Sequence, residues 1–274
     1  MSLITKLISI EWLKLRHRSV FWVSIIAHTT ILAIGLAVRQ YMHAQKPNSG
    51  RFDLPADWAD LIGSGAGIGM LMLLICVASV TASEVTWRTQ RQNVIDGLSR
   101  AQYFLGKILV AVLVAFVIWA LIIIVGLIAA PFGGAGALSW PLLESPAPLM
   151  LINMMLYLVA LGMTGFMFGM LASSSGAAVT LILAFIIIQP ILSSYMASEG
   201  GTLAKMSQYL PNDVFSNLVN RTYYDEAARA QVTAMIEKMG GMPPITLSLS
   251  VIMTIVYTFA FVGITWMIFR ERDL

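Results

Sequence analysis

Charge is what this sequence has least of. Only 11% of its 274 residues are Asp, Glu, Lys or Arg, while 58% are hydrophobic and the mean hydropathy is +0.81. A soluble domain carries about a quarter charged residues, so the composition excludes one and indicates a membrane protein. Cysteine is nearly absent. Cys76 stands alone inside an apolar run, which rules out an internal disulfide and fits a small buried side chain. The motifs of nucleotide, metal and acyl chemistry are missing too. Gly106-Lys107 has no glycine five residues earlier and is followed by Ile108, so it is not a phosphate loop. No HExxH, CxxC or GxSxG constellation occurs. The expectation is a chain that neither binds nor hydrolyses ATP itself and holds no metal. Carboxylates are absent from the apolar runs and there is no internal duplication, which counts against an ion-driven carrier.

What is present is six charge-free runs, each long enough for the roughly 20-residue helix that crosses a bilayer. They are Ser19–Val38, Leu61–Ala82, Ile108–Ala130, Leu149–Leu171, Gly176–Met196 and Ile245–Phe269. The first is too long for a signal-peptide core and no small-residue cleavage site follows it, so it reads as retained. The fold class expected is an all-α polytopic membrane protein with six transmembrane helices.

The basic residues sit at the ends of these runs, where they set topology; the pI of about 9.1 therefore does not call for nucleic acid. With both termini inside, the inner segments hold Lys6, Lys14, Arg16, Arg18, Arg88, Arg91, Arg100, Lys107, Arg270 and Arg272. The outer segments hold Arg39, Lys46, Arg51, Lys205, Arg221, Arg229 and Lys238, the last four on a long loop that carries little topological weight. Both ends are expected in the cytoplasm.

Along the chain, residues 1–18 form an amphipathic helix candidate. Leu3, Ile4, Leu7, Ile8, Ile10 and Leu15 lie on one side and Ser2, Thr5, Lys6, Ser9 and Arg16 on the other, the pattern of an interfacial anchor. His28 is the one titratable side chain well inside a run. It is either a proton or substrate contact or, in the simpler view, a neutral imidazole bonded to a neighbouring helix. Asp53, Asp57 and Asp60 do not match a calcium loop and read as a solvated face. Gly63, Gly65, Gly67 and Gly69, and again Gly162, Gly165 and Gly169, permit close helix approach without naming the partner. Six methionines of the fourth run read as adaptable packing rather than copper ligands. Residues 173–175 make a short turn, and Pro190, preceded by Gln189, is positioned to bend the outer part of the fifth run. Residues 197–244 form the one sizeable outer segment, too short for an independent core and placed to cap the outer mouth or meet an external partner.

The stretch that organises the rest is Ser83–Lys107, the longest inner polar passage between two runs. Read as a helix from Trp87, it sets Trp87, Val94, Ile95 and Leu98 on one face, with Arg91 among them. Arg88, Gln92, Asp96 and Ser99 make the opposite stripe. Gly97 suits a helix stop, and Ser99 with Gln102 spells a capping box for the helix that follows. The passage is either a polar loop on the headgroups or a docking element for a partner.

Glu84, then Arg91-Gln92-Asn93-Val94-Ile95-Asp96-Gly97-Leu98-Ser99-Arg100, then Gly106-Lys107, resembles the loop between the second and third spans of bacterial ABC-2-type permeases. The six-run layout extends the resemblance over the chain. It implies an ABC-2 (type V exporter-like) architecture with an N-terminal amphipathic helix, in a bacterial inner membrane. It further implies a coupling helix seated in a groove of a separate ATPase subunit, which would bind the ATP and Mg. The coupling residues it points to are Glu84, Trp87, Arg88, Arg91, Gln92, Val94, Ile95, Asp96, Gly97, Leu98, Ser99 and Arg100. By the same resemblance two permease chains pair, as homodimer or heterodimer, and Gln189 and Pro190 belong to a gate. Two other classes stay open at this point: an ion-gradient carrier using His28, and a non-transporting scaffold or sensor. The cargo is not written in the sequence.

Overall fold

The computed structural model describes residues 3–46, 50–54, 56–87, 98–133, 136, 138–140, 142–172, 174–220, 224–238 and 244–271. Among them are ten α-helices: α1 Leu3–Arg16, α2 Ser19–Gln45, α3 Trp58–Thr86, α4 Arg100–Ala129, α5 Ala147–Leu171, α6 Ser175–Ser198, α7 Gly201–Ser207, α8 Pro211–Asn217, α9 Glu226–Lys238 and α10 Leu247–Glu271. A single 3-10 turn, Ala130–Gly133, extends α4. Helices α2, α3, α4, α5, α6 and α10 are each long and apolar enough to cross a membrane. They carry the six apolar runs, except that α10 begins two residues after Ile245 and Ala130 falls in the 3-10 turn.

Local chemistry starts these helices. Ser99 caps α4 in a complete box: its hydroxyl accepts from the Gln102 N–H at 3.2 Å, and the Gln102 side chain accepts from the Ser99 N–H at 2.9 Å. Ser174 caps α6 by accepting from the Ala177 N–H. Pro211 opens α8, where its missing N–H costs nothing. Pro190 lies inside α6, which runs as one helix from Ser175 to Ser198.

Helices α3 and α5 are the central pair, and α2, α4, α6 and α10 pack around them. Glycine makes the central contact close. A Cβ on Gly165 would stand 3.1 Å from the Leu74 carbonyl oxygen, and one on Gly169 only 2.7 Å from that of Ala78. The glycines of α3 divide by face: Gly65 and Gly69 abut Ile122 and Ile118 of α4, whereas Gly67 has no neighbour within 4 Å. Their partner is thus a span of the same chain.

Part of the 197–244 segment is set into the bundle. Helix α8 packs on α10 and α6, burying Val214, Phe215 and Leu218 completely. The Phe215 ring meets Tyr257 and Phe261 edge-on, and the Tyr257 hydroxyl donates to the Tyr209 carbonyl at 2.6 Å. From α5, the Asn153 amide donates to the Tyr224 hydroxyl, which donates on to the Leu218 carbonyl. Helices α6 and α10 bury few of their own residues and expose broad apolar faces, including Ile187, Ile191, Val256 and Phe259.

Candidate functional site

Four charged side chains and a tyrosine meet where α1 crosses the end of α3 and the start of α4. Lys107, one turn after Tyr103 on α4, is 1% exposed. Its ammonium donates to Glu11 Oε2 at 2.6 Å and to Glu84 Oε1 at 2.8 Å. The Tyr103 hydroxyl donates to the second Glu84 oxygen at 2.8 Å, and Lys14 donates to the second Glu11 oxygen at 3.2 Å. Two carboxylates thus face two ammonium groups, and each carboxylate oxygen has a donor. Lys107 also stands 5.2 Å from the centre of the Tyr103 ring.

The sequence builds this from three helices. Leu7, Glu11 and Leu15 form the buried stripe of α1, at i, i+4 and i+8. The stripe packs on α4 at Gly106, where a Cβ would stand at ordinary contact distance, 3.5 Å, from Glu11 Cγ. The capping box fixes where α4 begins, and therefore where Tyr103 and Lys107 point. Beneath them an aromatic floor closes the site, with Tyr103 stacked on Phe269 and Phe104 against Phe166, Trp266 and Phe269. Buried charges survive only when partnered this fully, since removing one member leaves its opposite uncompensated.

A second, exposed contact joins the same elements. The Arg18 guanidinium lies 4.7 Å over the ring of Trp87, the residue that ends α3. Trp22 donates its indole N–H to the Arg16 carbonyl, bracing the corner between α1 and α2. Together these set the corner between α1 and α2 against the end of α3.

Of the residues singled out by sequence, Glu84 is in the buried cluster and Trp87 is exposed under Arg18. Leu98 is half-buried, Ser99 caps α4, and Arg100 is its exposed first residue. Arg88, Arg91, Gln92, Val94, Ile95, Asp96 and Gly97 lie outside the described residues. His28 is fully buried and faces Gly69, with its Cε1 3.5 Å from where a Cβ of that glycine would stand. Neither of its ring nitrogens has a hydrogen-bond partner among the described residues. Gln189 is buried with its Oε1 unpartnered there, beside a groove lined by residues of α5 and α6, and Pro190 next to it is exposed. His28 and the Gln189–Pro190 pair do not share a site. Glu11, Tyr103 and Lys107 were not singled out as site residues. One acid amid the apolar stripe of α1, and one lysine immediately before the third apolar run, were the available signals.

Six membrane-length helices around a polar cluster at one end define a multi-pass helical membrane protein. The model of the ABC-2 family transporter proteins matches residues 29–267 of this chain. The chain therefore belongs to the ABC-2 transporter family, as the membrane-embedded permease part of an ABC transporter, and that membership implies an ABC ATPase as partner. Glu84 and Lys107 fall inside the matched stretch, while Glu11 precedes it. No curated protein sequence matches the chain significantly.

Proposed function

We propose that this permease is an export subunit whose work is supplied by ATP hydrolysis on a separate ATPase chain, received through the loop between α3 and α4. The observation that supports this most is the Lys107 cluster. It fastens the two helix ends that flank the loop to each other and to α1, so a push on residues 88–97 moves all three as one body. In this reading the Trp87–Leu98 passage is the coupling helix, with Arg88, Arg91, Gln92, Val94, Ile95 and Asp96 meeting the ATPase. ATP and Mg belong to that partner.

The chain sits in a bacterial inner membrane with both termini in the cytoplasm, as its basic residues favour. Two permease chains pair, because one six-helix copy has too small a footprint to enclose a path, and closure of two ATPases drives both. Gln189 and Pro190 contribute to the gate at the far end of α6. In the assembled complex, Asp96→Lys or Gly97→Pro should insert normally yet lose substrate-stimulated ATP turnover. Stimulation at the native level in either variant would count against coupling through this loop.

A further inference from the structure

At the end of the bundle away from Lys107, the connection from α4 to α5 is almost without charge. Between Lys107 and Glu199 the sequence holds a single charged residue, Glu144. What the connection exposes instead is large and apolar: Phe132 at 78%, Trp140 at 79% and Leu143 at 59%. One such side chain on a surface needs no explanation, but three within residues 132–143 do. Left in water, each aromatic ring would forgo the burial of about 150–250 Å².

The backbone around Trp140 is fastened on both sides. The Ser139 N–H donates to the Leu54 carbonyl at 3.0 Å, beside a parallel bridge between Leu54 and Leu138. The indole of Trp58, the first residue of α3, donates to the Leu142 carbonyl at 2.7 Å. Leu54 and Trp58 are themselves buried. The fold therefore holds the Trp140 ring outward.

Height and continuity say what covers it. From Ile108 to Ala129, α4 rises about 32 Å at 1.5 Å per residue, against a hydrocarbon layer of about 30 Å. Phe132 thus comes where the hydrocarbon ends. Trp58, which pins Leu142, precedes the second apolar run by only three residues, so the pinned backbone stands at the same border. Ile124, Ile128 and Phe132 are all exposed and follow one another at four-residue spacing. The apolar surface of the connection therefore continues the bilayer-facing stripe of α4.

We propose that residues 132–143 form a membrane anchor, seated in the interfacial layer of the bilayer beside the ends of α3, α4 and α5. Phe132 enters the edge of the hydrocarbon. Trp140 lies among the headgroups, where an indole keeps its ring dry and its N–H wet. Leu143 adds apolar contact, and the exposed Glu144 marks the return to water. The anchor stands whether or not the α3–α4 loop couples to an ATPase.

The test uses the purified full chain in nanodiscs of phosphatidylethanolamine and phosphatidylglycerol. Phe132→Cys, Trp140→Cys and Leu143→Cys, each with Cys76→Ala, carry a nitroxide label. Its relaxation by oxygen, which concentrates in lipid, is compared with relaxation by a nickel chelate, which stays in water. Ile128→Cys on α4 gives the lipid reference and Glu226→Cys on α9 the water reference. The oxygen-to-nickel ratio at all three sites should exceed that at Glu226 several-fold, and at Phe132 it should approach that at Ile128. The native side chain supplies a second reading. The emission of Trp140, taken as the difference between the native chain and Trp140→Phe, should be quenched by lipids brominated near the headgroup. Ratios equal to the Glu226 value would overturn the proposal, since the segment would then lie in water. So would exclusion of both relaxers, which would mean that another protein surface covers it, or Trp140 emission untouched by brominated lipid.

Discussion

A lysine only 1% exposed is tolerable while its carboxylates hold it, and Lys107 has two. Lys107→Met leaves Glu11 and Glu84 buried without their shared cation. It should lower stability by about 3–5 kcal/mol, read as a fall in melting temperature in detergent. The combined Glu11→Gln, Glu84→Gln, Lys107→Met variant should recover most of that loss, because no charge is then left unpaired. Equal losses in the single and combined variants would mean that packing, not charge, holds α1 in place. His28 presents the reverse case. Its ring nitrogens lack partners among the described residues, so His28→Leu should be neutral or should stabilise by about 1 kcal/mol. A clear destabilisation, with transport lost as well, would restore a working role for the imidazole.

Among the elements, α4 is the one whose start the sequence states outright. A capping box needs only residues three apart, and Ser99 with Gln102 supplies them. Ser99→Ala should cost about 1 kcal/mol and loosen the turn that aims Tyr103 and Lys107. Gln102→Ala removes the other arm, the bond its side chain accepts from the Ser99 N–H, and the same measurement should show a loss there too. Helix α8 yields a pH signature. Burial raises the Asp213 carboxyl above its ordinary range, partly offset by a hydrogen bond from Ser193. A raised acid favours the folded state below the unfolded aspartate value of about 3.9, and that contribution is lost as the pH climbs through the folded value. Asp213→Asn should flatten melting temperature against pH across that window. What local pattern could not reveal is partnership across the chain. The pairing of Glu11 with Lys107 spans 96 residues, and no periodicity within α1 or α4 names the other. Likewise the stripe Gly162, Gly165, Gly169 announced a close helix approach, but only the fold assigns its neighbours to α3 and α4.

For the whole molecule, the spans were legible because the bilayer demands about 20 apolar residues per crossing, a constraint written directly into composition. The Ser83–Lys107 passage was legible only as a motif, and its central residues 88–97 fall outside the described part of the chain. The structure adds what flanks that passage: a buried ionic cluster that joins α1 to the end of α3 and the start of α4. The most direct measurement is purification of the tagged chain from its host membrane, with identification and assay of whatever accompanies it. An ABC ATPase should come with it at equal stoichiometry, and the pair should hydrolyse ATP and move cargo in vesicles. Recovery of the chain without any ATPase, in a preparation that still transports against a gradient, would contradict the central claim.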